Sequence, residues 1–414
     1  MKHPAINPIG LFLSTLLALN LTACATAPKT QASNSKANSS SAAVDPVPQK
    51  NSTEAATGSS AASSLRQSDN SAELSELFSQ RDLEQSPDLR EAECFTLQDG
   101  TDITLNTEGV YVLEGSAKNV TIYVEAGDED KIQLVLRGLQ VENDSVPVIY
   151  VKNADKVFLT TVEGSENSLA VTGAFTADGS TNTDAVIFSR DDLVLNGLGA
   201  LTVNSTDNGI SCKDALNITG GTITVTARGH GLEANDLIAV ADGTLRITAN
   251  QDGLHAENKD DDREGQIFIY GGELTVSAVD DGLHGVSIVR IEGGSLNITA
   301  AEGIEGTWVQ LNGGAVVIQA GDDGINGGRK SASYAVCVEI NGGTLEIAMG
   351  RGDTDAIDSN GDLKITGGVI NITAQSPFDY DGALTHTGGT ITVNGVQCSE
   401  ITNQFAGGPG GRRR

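Results

Sequence analysis

The amino-acid sequence predicts an all-β protein whose main part is a single-domain right-handed parallel β-helix, a solenoid with coils of about 22 residues. Three observations lead to this prediction. From residue 217 onward a Gly-Gly turn recurs, an alternating β-type run follows each turn, and an acidic residue followed by Gly recurs at a similar spacing. The chain of 414 residues also contains 49 glycines and only 4% aromatic residues, which favours short strands closed by turns over a thick helical core.

The Gly-Gly turns are the first marker of the repeat. They begin at Gly220, Gly271, Gly293, Gly313, Gly342, Gly367 and Gly388, with Asp242-Gly243 filling the one gap. Runs such as TITVTA and SLNITA follow them, and alternation of this kind predicts strands with one buried face. A β-propeller would need about 40 residues per blade, and a leucine-rich solenoid would need helical segments. The sequence favours neither alternative.

The N-terminus has the features of a secretory signal over residues 1–23. Lys2 and His3 precede an apolar run that is too short to span a bilayer and ends in Leu21-Thr22-Ala23-Cys24. This ending resembles the bacterial lipobox, which implies that Cys24 is the lipidated first residue of the mature chain; a plain secretory signal is the alternative. The resemblance further implies a lipid anchor in a bacterial membrane, the outer membrane, with the protein facing the periplasm or cell surface.

The rest of the chain divides by composition. Residues 24–90 are rich in small and polar residues and are predicted to form a tether, with a short helix or more tether over 71–90. The β-helix is predicted over 91–405, and a Gly/Arg-rich tail over 406–414. A net charge of −29 argues against nucleic acid as a partner, because phosphate binding depends on clustered Lys and Arg. We expect a monomer.

Acidic residues recur at equivalent positions of successive coils. The candidate metal ligands are Asp252, Asp281, Asp323 and Asp355, with Asp280 and Asp322 beside two of them and Asp358 in the column three residues on. Carboxylates one strand spacing apart, about 4.8 Å, repel by about 3.5 kcal/mol at an effective dielectric of 20. Calcium would neutralise this repulsion, since it accepts flexible sets of oxygen ligands. The alternatives are ordinary Asp-Gly turn chemistry, with Gly supplying a positive φ, and raised carboxylate pKa values.

Two histidines share the second column. His255 and His284 occur at the same position of consecutive coils. They are interpreted as a surface pair, with a catalytic dyad or a site for a transition metal such as zinc as the alternatives.

Two coils carry insertions at the same corner, over residues 258–264 and 328–334. Loops three coils apart would rise about 14 Å from each other and border a groove long enough for sugar rings. The candidate glycan-binding residues in these loops are Lys259, Arg263, Arg329, Lys330 and Tyr334, which offer cations for uronate carboxylates and one ring for stacking. The alternative is that the insertions are solvent-exposed loops without a binding role.

The residues also resemble a known family of bacterial carbohydrate-binding proteins built as calcium-containing right-handed β-helices similar to polysaccharide lyases. The phrases that carry the resemblance are TDAVIFSRDDLVLNG, DGLHAENKDDDREGQIFIYGG, DDGLHG, TDAIDSNGDLKITGG, FDYDGAL and ITNQFAGGPGG. The family implies binding of cellulose-like or acidic, pectin-like polysaccharide, with calcium held at the acidic turns. The chain departs from the pattern at residues 228–231 and at Glu302-Gly303, where Asp is replaced.

These observations predict a lipoprotein that binds polysaccharide through a calcium-stabilised β-helix. A calcium-dependent polysaccharide lyase is the first alternative, with Lys213, Lys259 and Lys330 as candidate bases, although no nucleophile-and-base motif is present. A structural or adhesive surface protein without a glycan ligand is the second, because fold does not fix function.

Overall fold

The computed structural model describes residues 74–179, 181–351 and 354–403. The predictions for the signal at 1–23, for lipidation of Cys24 and for the 406–414 tail fall outside these residues. A helical turn covers residues 74–77, and the part of the chain that the structure describes contains no helix long and apolar enough to cross a bilayer.

Thirty-four strands follow the helical turn. The first seventeen are β1 Glu93–Thr96, β2 Ile103–Leu105, β3 Gly109–Lys118, β4 Ile122–Glu125, β5 Lys131–Asn143, β6 Ile149–Asn153, β7 Lys156–Thr161, β8 Glu166–Val171, β9 Ala185–Ser189, β10 Asp192–Gly197, β11 Ala200–Ser205, β12 Asn208–Cys212, β13 Ala215–Ile218, β14 Thr222–Ala227, β15 Leu232–Ala234, β16 Leu237–Val240 and β17 Thr244–Ala249. The others are β18 Leu254–Ala256, β19 Gln266–Ile269, β20 Glu273–Ala278, β21 Asp281–Ile291, β22 Ser295–Ala300, β23 Glu302–Leu311, β24 Ala315–Ala320, β25 Ile325–Gly327, β26 Cys337–Ile340, β27 Thr344–Met349, β28 Ile357–Ser359, β29 Asp362–Ile365, β30 Val369–Thr373, β31 Asp379–Tyr380, β32 Leu384–His386, β33 Thr390–Val393 and β34 Val396–Cys398.

Within the described residues, strands β1 to β33 pair in three parallel stacks, and β34 pairs antiparallel with β33. The first stack contains β1, β3, β5, β7, β10, β13, β16, β19, β21, β23, β26, β29 and β32. The second contains β3, β5, β8, β11, β14, β17, β20, β22, β24, β27, β30 and β33. The third contains β2, β4, β6, β9, β12, β15, β18, β21, β23, β25, β28 and β31. The all-β prediction is confirmed, and the parallel pairing is that of a β-helix or solenoid.

The core lies between the three stacks. In the third stack the inward side chains form one aliphatic column in register: Ile187, Ile210, Leu232, Leu254, Leu283, Ile304, Ile325 and Ile357. Each of them is fully buried. Since burying such a side chain contributes about 1.5–3 kcal/mol, these columns supply the apolar stabilisation that the short coils lack individually. The side chains on the opposite face of the same strands point outward, where the candidate site is built.

The two recurring glycines serve different purposes. The second glycine of the Gly-Gly turns has a positive φ, for example 87° at Gly272 and 86° at Gly294, which L-residues rarely adopt. The glycine after each turn acid has no positive φ; instead, a Cβ at Gly253 would lie 2.2 Å from Val276 Cγ1 and 2.6 Å from the carbonyl oxygen of Gly282. The expectation that Gly in the acidic turns supplies a positive φ is therefore wrong. Gly is required there because adjacent coils approach closely.

Residues 74–90, called here the N-terminal segment, pack against the first stack. Phe78 is buried and contacts Tyr270 edge to face, with ring centroids 6.3 Å apart. The side-chain oxygen of Gln85 accepts the Gly197 N–H at 2.8 Å, and the buried Asp82 offers its carbonyl oxygen to Asn196 Nδ2 at 3.2 Å. The packed part of the chain therefore includes residues that the sequence analysis placed in the tether.

Candidate functional site

The third stack carries two columns of polar side chains along its outer side. The turn column, which occupies the corner before each strand, contains Asn208, His230, Asp252, Asp281, Glu302, Asp323 and Asp355. The outer column, on the strands themselves, contains Ser211, Glu233, His255, His284, Glu305, Asn326 and Asp358. Because parallel pairing repeats every strand spacing, the columns bring residues far apart in sequence into one row of potential ligands.

The middle of the row combines imidazoles with carboxylates. His255 Nδ1 lies 2.7 Å from Asp252 Oδ2. His284 Nδ1 lies 3.1 Å from Asp281 Oδ2 and 3.5 Å from Asp252 Oδ2. The ring of His230 stacks on that of His255 with centroids 4.3 Å apart, and its Nδ1 accepts the Asp252 N–H at 3.3 Å. Nitrogen and oxygen donors are therefore interleaved over three consecutive coils.

The coils that follow offer carboxylate oxygens as possible metal ligands. One carboxylate oxygen each from Asp281, Glu302 and Glu305 lies within 4.8 Å of the other two. Asn326 Nδ2 donates to Glu302 Oε2 at 2.9 Å, and Lys330 Nζ lies 2.7 Å from Glu305 Oε1. Further along, the Asp355 N–H donates to Asp323 Oδ1 at 3.2 Å.

The pKa values show the expected repulsion. Burial, reinforced by the charge of Glu305, raises the pKa of Glu302 to about 8. Burial also raises the pKa values of Asp281 and Asp323, each to about 6. Burial alone would lower the pKa of His284, but its bonds to Asp252 and Asp281 raise it to about 10. Raised pKa values and neighbouring cations, His284 and Lys330, thus both relieve the crowding of charge in the metal-free protein.

The predicted metal ligands differ in burial and in whether they lie in the row. Asp252 and Asp281 are buried, and Asp323, Asp355 and Asp358 continue the row. Asp280 and Asp322 are exposed and lie beside the turn column, not in it. At the two ends of the outer column, Phe188 lies in register with Ser211, and Asp379 pairs with Asp358.

The two insertions do not border an open groove between them. Asp262 Oδ1 accepts a hydrogen bond from Ser333 Oγ at 2.6 Å, and the Asp262 carbonyl accepts one from Ser331 Oγ. Tyr334 OH donates to the Arg263 carbonyl at 3.3 Å. The expected separation of about 14 Å is therefore wrong for these parts of the loops, which hydrogen-bond to each other.

The predicted glycan-binding cations therefore differ in availability. Lys259 has a side chain that is 81% exposed, and Arg329 is also exposed. Arg263 is exposed but forms a bidentate pair with Asp261. Lys330 reaches back to Glu305 and so belongs to the row of acids. The roles of all five predicted glycan-binding residues in glycan binding stay predictions.

The predicted metal ligands did not include Glu302, Glu305 and Asn326, although the repeat places all three in the two columns. Glu302 was treated as a departure from the Asp-Gly pattern, yet its carboxylate occupies the same column one coil beyond Asp281. The signal that could have found all three is position in the repeat, because the residue that precedes the small residue of the turn and the one three places on recur in every coil.

A second acidic pair lies away from the row. Asp214 and Asp236 directly precede the first-stack strands β13 and β16. Burial and a hydrogen bond with Asp236 raise the pKa of Asp214 to about 7. A group whose pKa is higher in the folded than in the unfolded protein stabilises the fold at low pH, and that contribution is lost as the pH rises through the folded value.

We therefore expect Asp214→Asn to reduce the loss of thermal stability between about pH 5 and about pH 8, because the variant has no proton to lose at this position. Thermal unfolding of wild type and variant at the two pH values measures this. An unchanged difference between the two pH values in the variant would contradict the assignment.

The donor chemistry of the row separates it into two parts. Calcium takes oxygen ligands almost exclusively. The part where Asp281, Glu302 and Glu305 bring carboxylate oxygens within 4.8 Å of one another, and which Asp323 continues, therefore fits calcium. The part around His255 and His284 contains nitrogen donors and does not fit a hard cation. The predicted calcium ligands Asp252 and Asp281 contact these imidazoles.

Comparison with known proteins identifies the class. Residues 99–351 and 301–403 match the family described as carbohydrate-binding domain-containing protein. These matches cover more than half of the chain, and the chain therefore belongs to this family.

Two relatives illustrate the likeness. A carbohydrate-binding domain-containing protein of Acetivibrio thermocellus is 41% identical over 201 residues, which is 48% of this chain and 70% of the relative. Among solved structures, a gadolinium derivative of the polysaccharide lyase-like protein from C. thermocellum is similar with a TM-score of 0.46 and 27% identity, covering 62% of this chain and 98% of that chain.

Proposed function

We propose that the protein is a lipid-anchored surface or periplasmic protein that binds a cellulose-like or acidic, pectin-like polysaccharide through a right-handed β-helix with coils of about 22 residues, stabilised by calcium. Membership in the carbohydrate-binding family supports glycan binding in general. The observation that carries the calcium part is the group of carboxylate oxygens from Asp281, Glu302 and Glu305 within 4.8 Å of one another.

Calcium would act here on the fold and on the ligand. An ion at Asp281, Glu302 and Glu305 would join adjacent coils through oxygen ligands, and it would supply positive charge next to which a uronate carboxylate can bind. The chain's own exposed cations, Lys259 and Arg329, lie on the loops that follow the same corner. They would contact the acidic groups of a glycan that passes over the row.

The arrangement of the lysines favours binding over lyase chemistry. A lyase base must accept a proton, but Lys213 Nζ lies 3.4 Å from Glu233 Oε2 and Lys330 Nζ lies 2.7 Å from Glu305 Oε1. Burial opposes the protonated form of Lys330, yet its bond to Glu305 raises its pKa above the ordinary value. Both ammonium groups therefore act as charge partners in this geometry.

Calorimetric titration of polygalacturonate into the calcium-loaded full chain, with a calcium-depleted control, tests the proposal. Heat that saturates only with calcium supports calcium-dependent binding. Sustained heat with formation of unsaturated product would identify a lyase instead. Absence of heat with both polygalacturonate and a soluble cellulose fragment would contradict glycan binding at this protein.

The exposed loop cations give a sharper test of where the glycan binds. We expect Lys259→Ala with Arg329→Ala to weaken binding of polygalacturonate by about 10-fold and to reduce its salt dependence, because two charge-assisted contacts are lost. Lys118→Ala is the matched control: this lysine is 67% exposed, pairs with Glu142 at 2.8 Å and borders an open depression at the second stack. Loss of binding in the control instead of the double variant would place the glycan at that depression.

A further inference from the structure

One tetrapeptide occurs twice, one coil apart, in the middle of the row. The sequence Asp-Gly-Leu-His stands at residues 252–255 and again at 281–284. Leu254 and Leu283 pair in register and point into the core, so the imidazole that follows each leucine projects on the outer side, where the acid of the same copy contacts it. Asp252, Asp281 and His284 bring ligand atoms within 4.8 Å of one another, and Asp252 does the same with His255 and His230.

The distances between these four groups match a small tetrahedral ion. Zinc binds nitrogen and oxygen ligands at about 2.0–2.1 Å, so neighbouring ligands of a tetrahedral site lie about 3.3 Å apart. Across the two copies, His284 Nδ1 lies 3.5 Å from Asp252 Oδ2; within them, His284 Nδ1 lies 3.1 Å from Asp281 Oδ2 and His255 Nδ1 2.7 Å from Asp252 Oδ2. The rings of His255 and His284 are nearly perpendicular, at 82°, with centroids 5.1 Å apart.

Neighbouring backbone and carboxylate groups hold the four side chains in the orientations that metal ligands have in known metalloproteins. The Asp281 N–H donates to Asp252 Oδ1 at 3.0 Å, which turns the other oxygen of Asp252 toward the imidazoles. Glu305 Oε2 lies 3.2 Å from His284 Nε2, the arrangement in which a carboxylate supports a metal-bound histidine. The backbone of the site is fixed on both sides by the parallel pairing of β18 with β21 and of β21 with β23.

The other ring nitrogen of His284 lies beside a carboxylate. His284 Nε2 is buried and forms no hydrogen bond, although Glu305 is close to it. If a metal occupies Nδ1, the proton of the neutral ring must reside on Nε2, and it then faces Glu305 Oε2. Occupation by a metal thus gives both ring nitrogens a partner.

We propose that Asp252, His255, Asp281 and His284 bind one divalent transition-metal ion of the zinc type. It is distinct from the calcium proposed at Asp281, Glu302 and Glu305, and Asp281 lies at the boundary of the two sites. Two carboxylates balance the charge of the ion, and only 3% of Asp252 and 5% of Asp281 is exposed, so the site is closed to solvent on the carboxylate side. His230 packs its ring against His255 in a parallel stack. His230 Nδ1 also lies 3.3 Å from Asp252 Oδ2, and ligand atoms of His230, Asp252 and His255 lie within 4.8 Å of one another, so His230 is a further candidate ligand of this site.

The test is calorimetric titration of zinc chloride into the metal-depleted full chain, in the absence and in the presence of excess calcium. We expect one zinc ion per chain in both conditions. Cobalt, titrated as a spectroscopic substitute, should give the intense visible absorption of a tetrahedral site with nitrogen ligands. Absence of zinc binding, or displacement of zinc by calcium, would overturn the proposal.

Variants assign the binding to these residues. His255→Ala with His284→Ala should weaken zinc binding by about 100-fold or more and abolish the cobalt absorption. His386→Ala, at a half-buried histidine in β32, is the matched control and should bind zinc like the wild type. His284→Cys supplies a second check, because a thiolate remains a zinc ligand and should restore part of the affinity with an altered cobalt spectrum. Unchanged zinc binding in the double variant would overturn the assignment.

The result of the zinc titration can be separated from the result for the proposed glycan function. Calcium titration and polygalacturonate titration of the same double variant report on the oxygen-only part of the row. If the double variant loses zinc but keeps calcium and glycan binding, the two sites are separate as proposed. If it loses calcium in parallel with zinc, the row is one site and the proposal of a distinct transition-metal site is overturned.

Discussion

Replacing Gly209 with alanine is expected to destabilise the solenoid by about 3 kcal/mol, at the upper end of overpacking costs. An added Cβ would lie 2.3 Å from Val225 Cγ1 and 2.5 Å from the carbonyl oxygen of Gly231 in the next coil. A side chain can shift, but the carbonyl belongs to a paired coil whose position is fixed on both sides. The strain therefore has no local route of relief.

Denaturant unfolding of Gly209→Ala, followed by circular dichroism, measures this effect. Gly321→Ala is the control, because its Cβ would have its nearest neighbour at 4.0 Å and its φ is not positive. Equal stability of the two variants would show that the coils can separate at the turn, contrary to the close approach described above.

Removal of calcium is expected to lower the melting temperature by about 5 °C relative to protein in calcium at about 100 times the dissociation constant, where binding adds about 2.7 kcal/mol. The physical reason is that ion binding is available to the folded protein only, since Asp281, Glu302 and Glu305 meet through coil stacking. Thermal unfolding of dialysed, metal-free protein before and after addition of calcium alone checks the value.

A double variant tests whether the calcium-dependent rise in melting temperature comes from an ion bound at the row. Glu302→Gln with Asp323→Asn removes two charges from the oxygen-only part and should melt at the same temperature with and without calcium. Glu273→Gln, an exposed glutamate of β20 in the second stack, should respond to calcium like the wild type. An identical melting temperature of the wild type in both conditions would refute the calcium proposal; a calcium response that survives in the double variant would show that the ion binds elsewhere.

The repeat explains why much of the fold could be predicted. Parallel stacking converts a sequence period into a spatial column, so recurrence of Gly-Gly turns and acidic turns was sufficient to place Asp252, Asp281, His255 and His284 together. Glu302 lies in the same acidic column by position, and it was left out of the predicted ligands because the family pattern has Asp there. The column accepts either carboxylate, and Glu305, three residues on in β23, reaches the same oxygen cluster.

The features that could not be predicted depend on the direction of side chains outside the repeat. Lys330 belongs to a loop whose path no periodicity fixes, and it turns back to Glu305 instead of facing solvent. The contact of Asp262 with Ser331 and Ser333 likewise depends on how two loops lean. Composition predicted a tether over 24–90, yet the single aromatic ring of Phe78 and a few polar groups suffice to attach residues 74–90 to the first stack.

That attachment changes how the array should unfold. In a solenoid each coil contacts only its neighbours, so coils can open one after another from an end. The N-terminal segment crosses several of them, because Arg81 lies over Phe158 of β7, Asp82 and Gln85 bond to residues at the ends of β10 and β13, and Phe78 reaches Tyr270 beyond β19. The coils from β7 to β19 are thereby tied into one cooperative unit, whose amide hydrogens should exchange together, while the coils beyond β29 open independently and first.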